Sequence, residues 1–202
     1  MMSDFEAKGS PEGEQVVHAW EILSEKGLVE CPVFDLVSRR LRHPVRGTEG
    51  DFYILKTRDW VNVIPVTSEF EVVMVRQYRF GIEESSWEIP GGIMDAGEDP
   101  VVAAERELRE ETGYVARASR LIGGVAANPA ILNNRCHFVW AEGVTLESAV
   151  EWDEHEEIEV RLFPIDEVYA MAHRGEIKHS LVVAALFQFY PQWEKIKGRR
   201  RS

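Results

Sequence analysis

Three glutamates in the segment GIMDAGEDPVVAAERELREETGY, namely Glu107, Glu110 and Glu111, stand at i, i+3 and i+4. On a helix of about 3.6 residues per turn that spacing puts three carboxylates on one face. Like charges stacked in this way repel, and a hard divalent cation relieves the repulsion because it prefers carboxylate oxygens. Arg106 precedes the cluster and can pair with Glu98 in the preceding loop. The Gly91-Gly92 pair lets the backbone approach a ligand closely, so a carbonyl there can add an oxygen ligand. A second acidic run, Glu151 to Val160, carries six acidic residues and no Lys or Arg. Carboxylates that hold a metal leave the proton acceptor for an attacking water unassigned. The second run offers candidates for it, unless it is only a solvated acidic loop.

The two runs supply most of the charge. The formal net charge is −12; the stretch from Gly92 to Gly113 contributes −5 and the stretch from Glu151 to Val160 contributes −6. General solubility would spread acidic residues over the surface, whereas two dense clusters in a nearly neutral chain suggest local cation sites.

The first segment matches the Nudix box, G-x5-E-x7-R-E-U-x-E-E-x-G-U, where U is a bulky aliphatic residue. Gly92, Glu98, Arg106, Glu107, Leu108, Glu110, Glu111 and Gly113 all fit, and Tyr114 departs only at the last position, which concerns packing. The chain therefore resembles Nudix hydrolases. The resemblance implies Mg²⁺ (with Mn²⁺ as a substitute) held by Glu107, Glu111 and the carbonyl of Gly91. Glu110 is then a further or outer ligand. In ADP-ribose pyrophosphatases the mobile loop after the box often reads E-x-E-[DE]-I, and Glu154-His155-Glu156-Glu157-Ile158 is similar. On that likeness Glu154 is the candidate base and Glu156 a late metal ligand, with Glu157 open for either role and Glu110 the base if the loop plays no part.

Arg76-Gln77-Tyr78-Arg79 and then Trp87-Glu88-Ile89-Pro90-Gly91-Gly92 resemble the branch that cleaves ADP-ribose and nucleotide sugars, and Pro129, fifteen residues after Tyr114, fits the same branch. The resemblance implies substrate contacts at Arg79, Arg76 and Glu88. For Arg79 a phosphate contact and a surface ion pair stand about even. Trp20 and Phe34 are the nearest candidates for an aromatic that stacks on the base, though each is expected first as packing. The activity implied is hydrolysis of a nucleoside diphosphate sugar to a nucleoside monophosphate and a sugar phosphate. Two other functions compete: clean-up of damaged nucleoside triphosphates, and a sensor that binds ADP-ribose without cleaving it.

The elements needed to position these residues can be read from local patterns. Asp99 as N-cap, Pro100 in the first helical position and Gly113 as a left-handed stop frame a helix. Short β-branched and aromatic runs separated by Gly, Pro, Asn, Asp or Ser precede it, with connections expected at 47–50 and 67–69. Strands are expected at 121–126, 136–141 and 158–163, then helices at 166–173 and 180–190, with Asp166 and Ser180 as caps and Pro191 as an end. The order predicts an α/β/α sandwich with a mixed sheet. Residues 1–15 are expected to be a disordered tail, 16–58 strands in contact with a second copy, 59–192 the hydrolase domain and 193–202 a basic tail. No apolar run reaches the roughly 20 residues needed to span a bilayer. Cys31 and Cys136 form no disulfide framework, and the basic residues form no stripe for nucleic acid. A cytoplasmic homodimer acting on a small molecule, with neither membrane nor nucleic acid as partner, is the expectation.

Overall fold

Alternating and β-branched sequence becomes strand through most of residues 21–93. The computed structural model describes residues 16–150 and 157–200, so the expected tail at 1–15 and the side chains of Glu154 and Glu156 lie outside the described residues. The chain divides into two units, residues 1–55 and 56–202.

The first unit holds β1 (Glu21–Glu30), β2 (Asp35–Arg42) and β3 (Glu49–Lys56), in the sheet order β1-β2-β3. β1 and β2 run antiparallel. Every residue of β1 is exposed. Charged pairs brace the ladder: Arg39 with Glu25 at 2.6 Å and Arg42 with Glu49 at 2.8 Å. Trp20 packs edge-on to His43 and Phe52, with ring centres 5.2 and 5.4 Å apart.

The second unit continues with β4 (Trp60–Val66), β5 (Glu71–Arg79), β6 (Glu84–Glu88), β7 (Gly91–Ile93), α1 (Pro100–Thr112), β8 (Tyr114–Val115), β9 (Ala118–Ala126), β10 (Arg135–Glu142), β11 (Thr145–Leu146), β12 (Glu159–Pro164), α2 (Ile165–His173) and α3 (Ser180–Arg200). The main sheet runs β12-β5-β4-β10-β9, with β6 on β5 and β7 on β4. β4 and β10 are parallel, while β4–β5, β9–β10 and β5–β12 are antiparallel, so the sheet is mixed. β4 reads as a nearly continuous apolar run because both its faces are covered. Val61 and Val63 pack with Ala103, Ala104 and Leu108 of α1. Ile64 and Val66 pack with Val182, Leu186 and Phe189 of α3. Burying a side chain such as Leu108 contributes roughly 1.5–3 kcal/mol, and each such contact fixes the rotation of α1. The α/β sandwich expected from the sequence is the one found.

Three local expectations at the closing helices are corrected. α2 starts after Pro164, and Asp166 is not its cap. Asp166 sits in the first turn and accepts hydrogen bonds from Trp193 Nε1 at 2.9 Å and Lys197 Nζ at 2.8 Å. α3 is capped by His179 rather than Ser180. Pro191 does not end α3, which continues to Arg200. The hydrogen bond lost at proline is offset by the burial of Trp193, 4% exposed beside Phe70, and by its tie to Asp166. Among the described residues, no helix is long and apolar enough to cross a membrane.

Candidate active site

α1 is held at both ends. The Asp99 carboxylate accepts the Val101 N–H at 2.8 Å, and Gly113 adopts φ 74° while its N–H donates to the Arg109 carbonyl at 2.8 Å. With Ala103, Ala104 and Leu108 turned into the core, Glu107 and Glu111 are turned toward β7. Glu111 is 5% exposed, and its Oε2 accepts the Gly91 N–H at 3.2 Å. The Glu107 carboxylate lies against Gly92: a Cβ at residue 92 would stand 2.5 Å from its Oε1. A Cβ at Gly91 would collide with the Val61 carbonyl of the neighbouring strand. The two glycines thus let two carboxylates and the β7 backbone meet, and these hard oxygens suit a divalent cation.

Arg106 organises the rest of the acidic face. Its Nε and Nη2 donate to Glu98 at 3.1 Å each, and its Nη1 donates to Glu107 Oε1 at 2.8 Å and Glu110 Oε2 at 3.1 Å. Glu98 also accepts the Asp95 N–H at 2.9 Å. These bonds hold the Glu98 carboxyl below the usual carboxylate range, chiefly through Arg106, and drive the Arg106 guanidinium still higher above neutrality. Arg106 thus holds both Glu107 and Glu110, while Glu107 and Glu111 reach the glycine pair. Among the described residues, no three His, Cys, Asp or Glu side chains are grouped as a metal site. Two carboxylates and the backbone make a partial donor set.

A cavity of about 250 Å³ opens beside the glycine pair, lined by Gly91, Gly92, Trp60, Arg79 and His179 among others. Arg79 donates from Nε and Nη2 to the two oxygens of Glu88, at 2.9 and 2.6 Å. Glu88 is 1% exposed, whereas the Arg79 side chain is 39% exposed. The fork of Arg79 thus both satisfies a buried carboxylate and faces the cavity. Arg76 goes elsewhere: it lies 3.5 Å from Glu159, with its guanidinium 5.8 Å from the centre of the Trp87 ring. Two larger hollows exist, of about 420 Å³ beside Asp59 and His137 and about 370 Å³ between Phe70 and Trp193, yet neither is lined by Gly91, Gly92, Glu107 or Glu111.

His179 was not visible as a site residue in the sequence. Its Nδ1 accepts the Leu181 N–H at 3.2 Å and its carbonyl accepts the Val182 N–H at 3.1 Å, so it caps α3 while also lining the Arg79 cavity. Burial, reinforced by Arg79 and opposed by Glu88, lowers the pKa of the ring. A histidine before Ser180 carries no motif in sequence; only the turn that brings it to β7 shows its place.

The NUDIX domain family model matches residues 56–186. Among curated proteins, the chain is 36% identical over 140 residues to a methanol dehydrogenase activator of Bacillus methanolicus, covering 69% of this chain and 75% of that one. It is 34% identical over 165 residues to an ADP-ribose pyrophosphatase of Bacillus subtilis, covering 81% and 89%. Among solved structures, an ADP compounds hydrolase superposes with a TM-score of 0.80 at 23% identity, over 92% of this chain and 100% of the other. That likeness carries the fold.

Proposed function

Because the chain belongs to the Nudix family, we propose that it is a pyrophosphohydrolase that cleaves the diphosphate of ADP-ribose or a similar nucleoside diphosphate sugar, using Mg²⁺ or, as a substitute, Mn²⁺. The observation that carries this is the meeting of Glu107 and Glu111 with the Gly91–Gly92 backbone, next to a cavity walled by Arg79. The name of the Bacillus subtilis relative favours ADP-ribose among diphosphate substrates.

Glu107 and Glu111 would hold the cation, with the Gly91 carbonyl and Glu156. When bound, the cation supplies charge stabilisation to the diphosphate and eases deprotonation of the attacking water. Arg79 presents fixed donors to a phosphate oxygen, with its orientation set by the Glu88 fork. Glu154 takes the proton as the water oxygen bonds to phosphorus and the bridging P–O bond breaks. The products are a nucleoside monophosphate and a sugar phosphate. Arg106 offsets the mutual repulsion of the carboxylate face through its bonds to Glu107 and Glu110.

The test is initial-rate assay of ADP-ribose and UDP-glucose against a panel of deoxynucleoside triphosphates, with product identification. ADP-ribose should be turned over with AMP released, and excess chelator should stop the reaction. Preference for a triphosphate would transfer the chain to the clean-up function, and binding without turnover would make it a sensor. The same assay run as a Mg²⁺ titration separates two roles. Glu154→Gln should lower kcat on the order of 10²- to 10⁴-fold with no rescue by metal, whereas Glu156→Gln should raise the Mg²⁺ needed for half-maximal rate. The reverse pattern would exchange their assignments.

The exposed strand β1, with Ile22, Leu23, Leu28 and Val29 all open to solvent, supports a homodimer in which the first sheet packs on a second copy. Light scattering at micromolar concentration should give twice the chain mass of 23.1 kDa; a monomer would rule the dimer out.

A further inference from the structure

Arg79 cannot act as a bare cation toward a diphosphate. Its guanidinium is doubly hydrogen-bonded to a carboxylate that is 1% exposed, so the pair is close to neutral as a unit. An anion entering the cavity meets an oriented dipole there, and a second donor is needed to hold it well.

His179 is placed to be that donor. It lines the same cavity as Arg79, Gly91 and Gly92. Its Nδ1 is occupied as an acceptor by the Leu181 N–H at 3.2 Å, which in the neutral ring puts the proton on Nε2. Burial favours that neutral form. No described residue accepts a hydrogen bond from Nε2. The cap therefore fixes the tautomer, with the proton on Nε2 of a residue in the cavity wall.

We propose that His179 is a second substrate-contacting residue, whose Nε2–H donates to a non-bridging phosphate oxygen of a nucleoside diphosphate sugar, beside Arg79. This rests on the pyrophosphohydrolase function proposed above. His179 makes no bond and moves no proton in the reaction; it binds and orients.

Two substitutions separate this contact from the cap. His179→Asn retains an acceptor near the Nδ1 position for the Leu181 N–H but lacks the Nε2 donor. His179→Gln retains a donor near Nε2 but weakens the cap. A hydrogen bond to a charged group predicts that His179→Asn raises KM for ADP-ribose on the order of tenfold or more. kcat should stay within about threefold, because the contact exists before and during the chemical step. Its melting temperature should match the parent. His179→Gln should keep KM within about threefold while losing about 2–4 °C of melting temperature with the cap. Calorimetry with α,β-methylene ADP-ribose and Mg²⁺ should give a Kd that rises with KM in the Asn variant. If His179→Asn binds the analogue and turns over ADP-ribose as the parent does, the residue is only a helix cap and the inference fails alone. If the parent neither binds the analogue nor cleaves ADP-ribose, the functional proposal fails and takes this inference with it.

Discussion

Glu111→Gln is expected to lower kcat on ADP-ribose by at least about 10²-fold while leaving the protein folded. The side chain is 5% exposed and its Oε2 accepts the Gly91 N–H. Glutamine keeps the volume, and its amide oxygen can keep that hydrogen bond. What it removes is one negative charge from a face on which Glu107, Glu110 and Glu111 stand together with Arg106 donating to two of them. Without metal that loss relieves repulsion, so the melting temperature should stay level or rise. With metal it removes the ligand proposed above, and losing even an outer partner of a ligand typically costs 10- to 100-fold. The check is steady-state kinetics at saturating Mg²⁺ beside a thermal melt. More than a tenth of parental kcat in the variant would remove Glu111 from the metal site; a collapsed melt would make it a structural residue.

The second large effect is on stability. Arg79→Met should destabilise the fold by about 3 kcal/mol, because it strands Glu88, which is 1% exposed, without its fork of donors. The low end of the range applies because Arg79 itself is 39% exposed, so water can partly replace it. For a chain of this size that is roughly a 6–12 °C fall in melting temperature. Arg79→Met combined with Glu88→Met should recover most of the loss, since no charge is then left buried. Neither variant should bind substrate well. A melting temperature for Arg79→Met within 2 °C of the parent would show that the pair contributes little to folding.

The framing of α1 could be read from sequence because each signal was local: a carboxylate N-cap, a proline in the first turn and a glycine at positive φ all act within one turn of the helix. The spacing of Glu107 and Glu111 was legible for the same reason, and so was Glu98 as the partner of Arg106. What failed depended on distant parts of the chain. Pro191 looked like a stop because nothing nearby shows that Trp193 reaches Phe70 and Asp166. Ser180 looked like a cap because serine is the usual one, and His179 displaced it through a ring nitrogen that only the folded turn aligns. Arg79 stood evenly between ion pair and phosphate contact, and the structure places it on Glu88 while keeping it in the cavity wall. The two-residue strands β8 and β11 have too few residues to show any period.

Gly91 gives its N–H to Glu111 and also lines the cavity of Arg79 and His179. One residue would thus be shared by the proposed cation site and the proposed substrate cavity. Thermodynamic linkage makes any coupling through it reciprocal: the factor by which cation occupancy tightens substrate binding is the factor by which substrate tightens cation binding. A chain with such a shared residue should respond jointly to two pools. On the proposed function, turnover should follow the free divalent ion steeply when the nucleotide sugar is scarce, and the dependence should flatten when it is abundant.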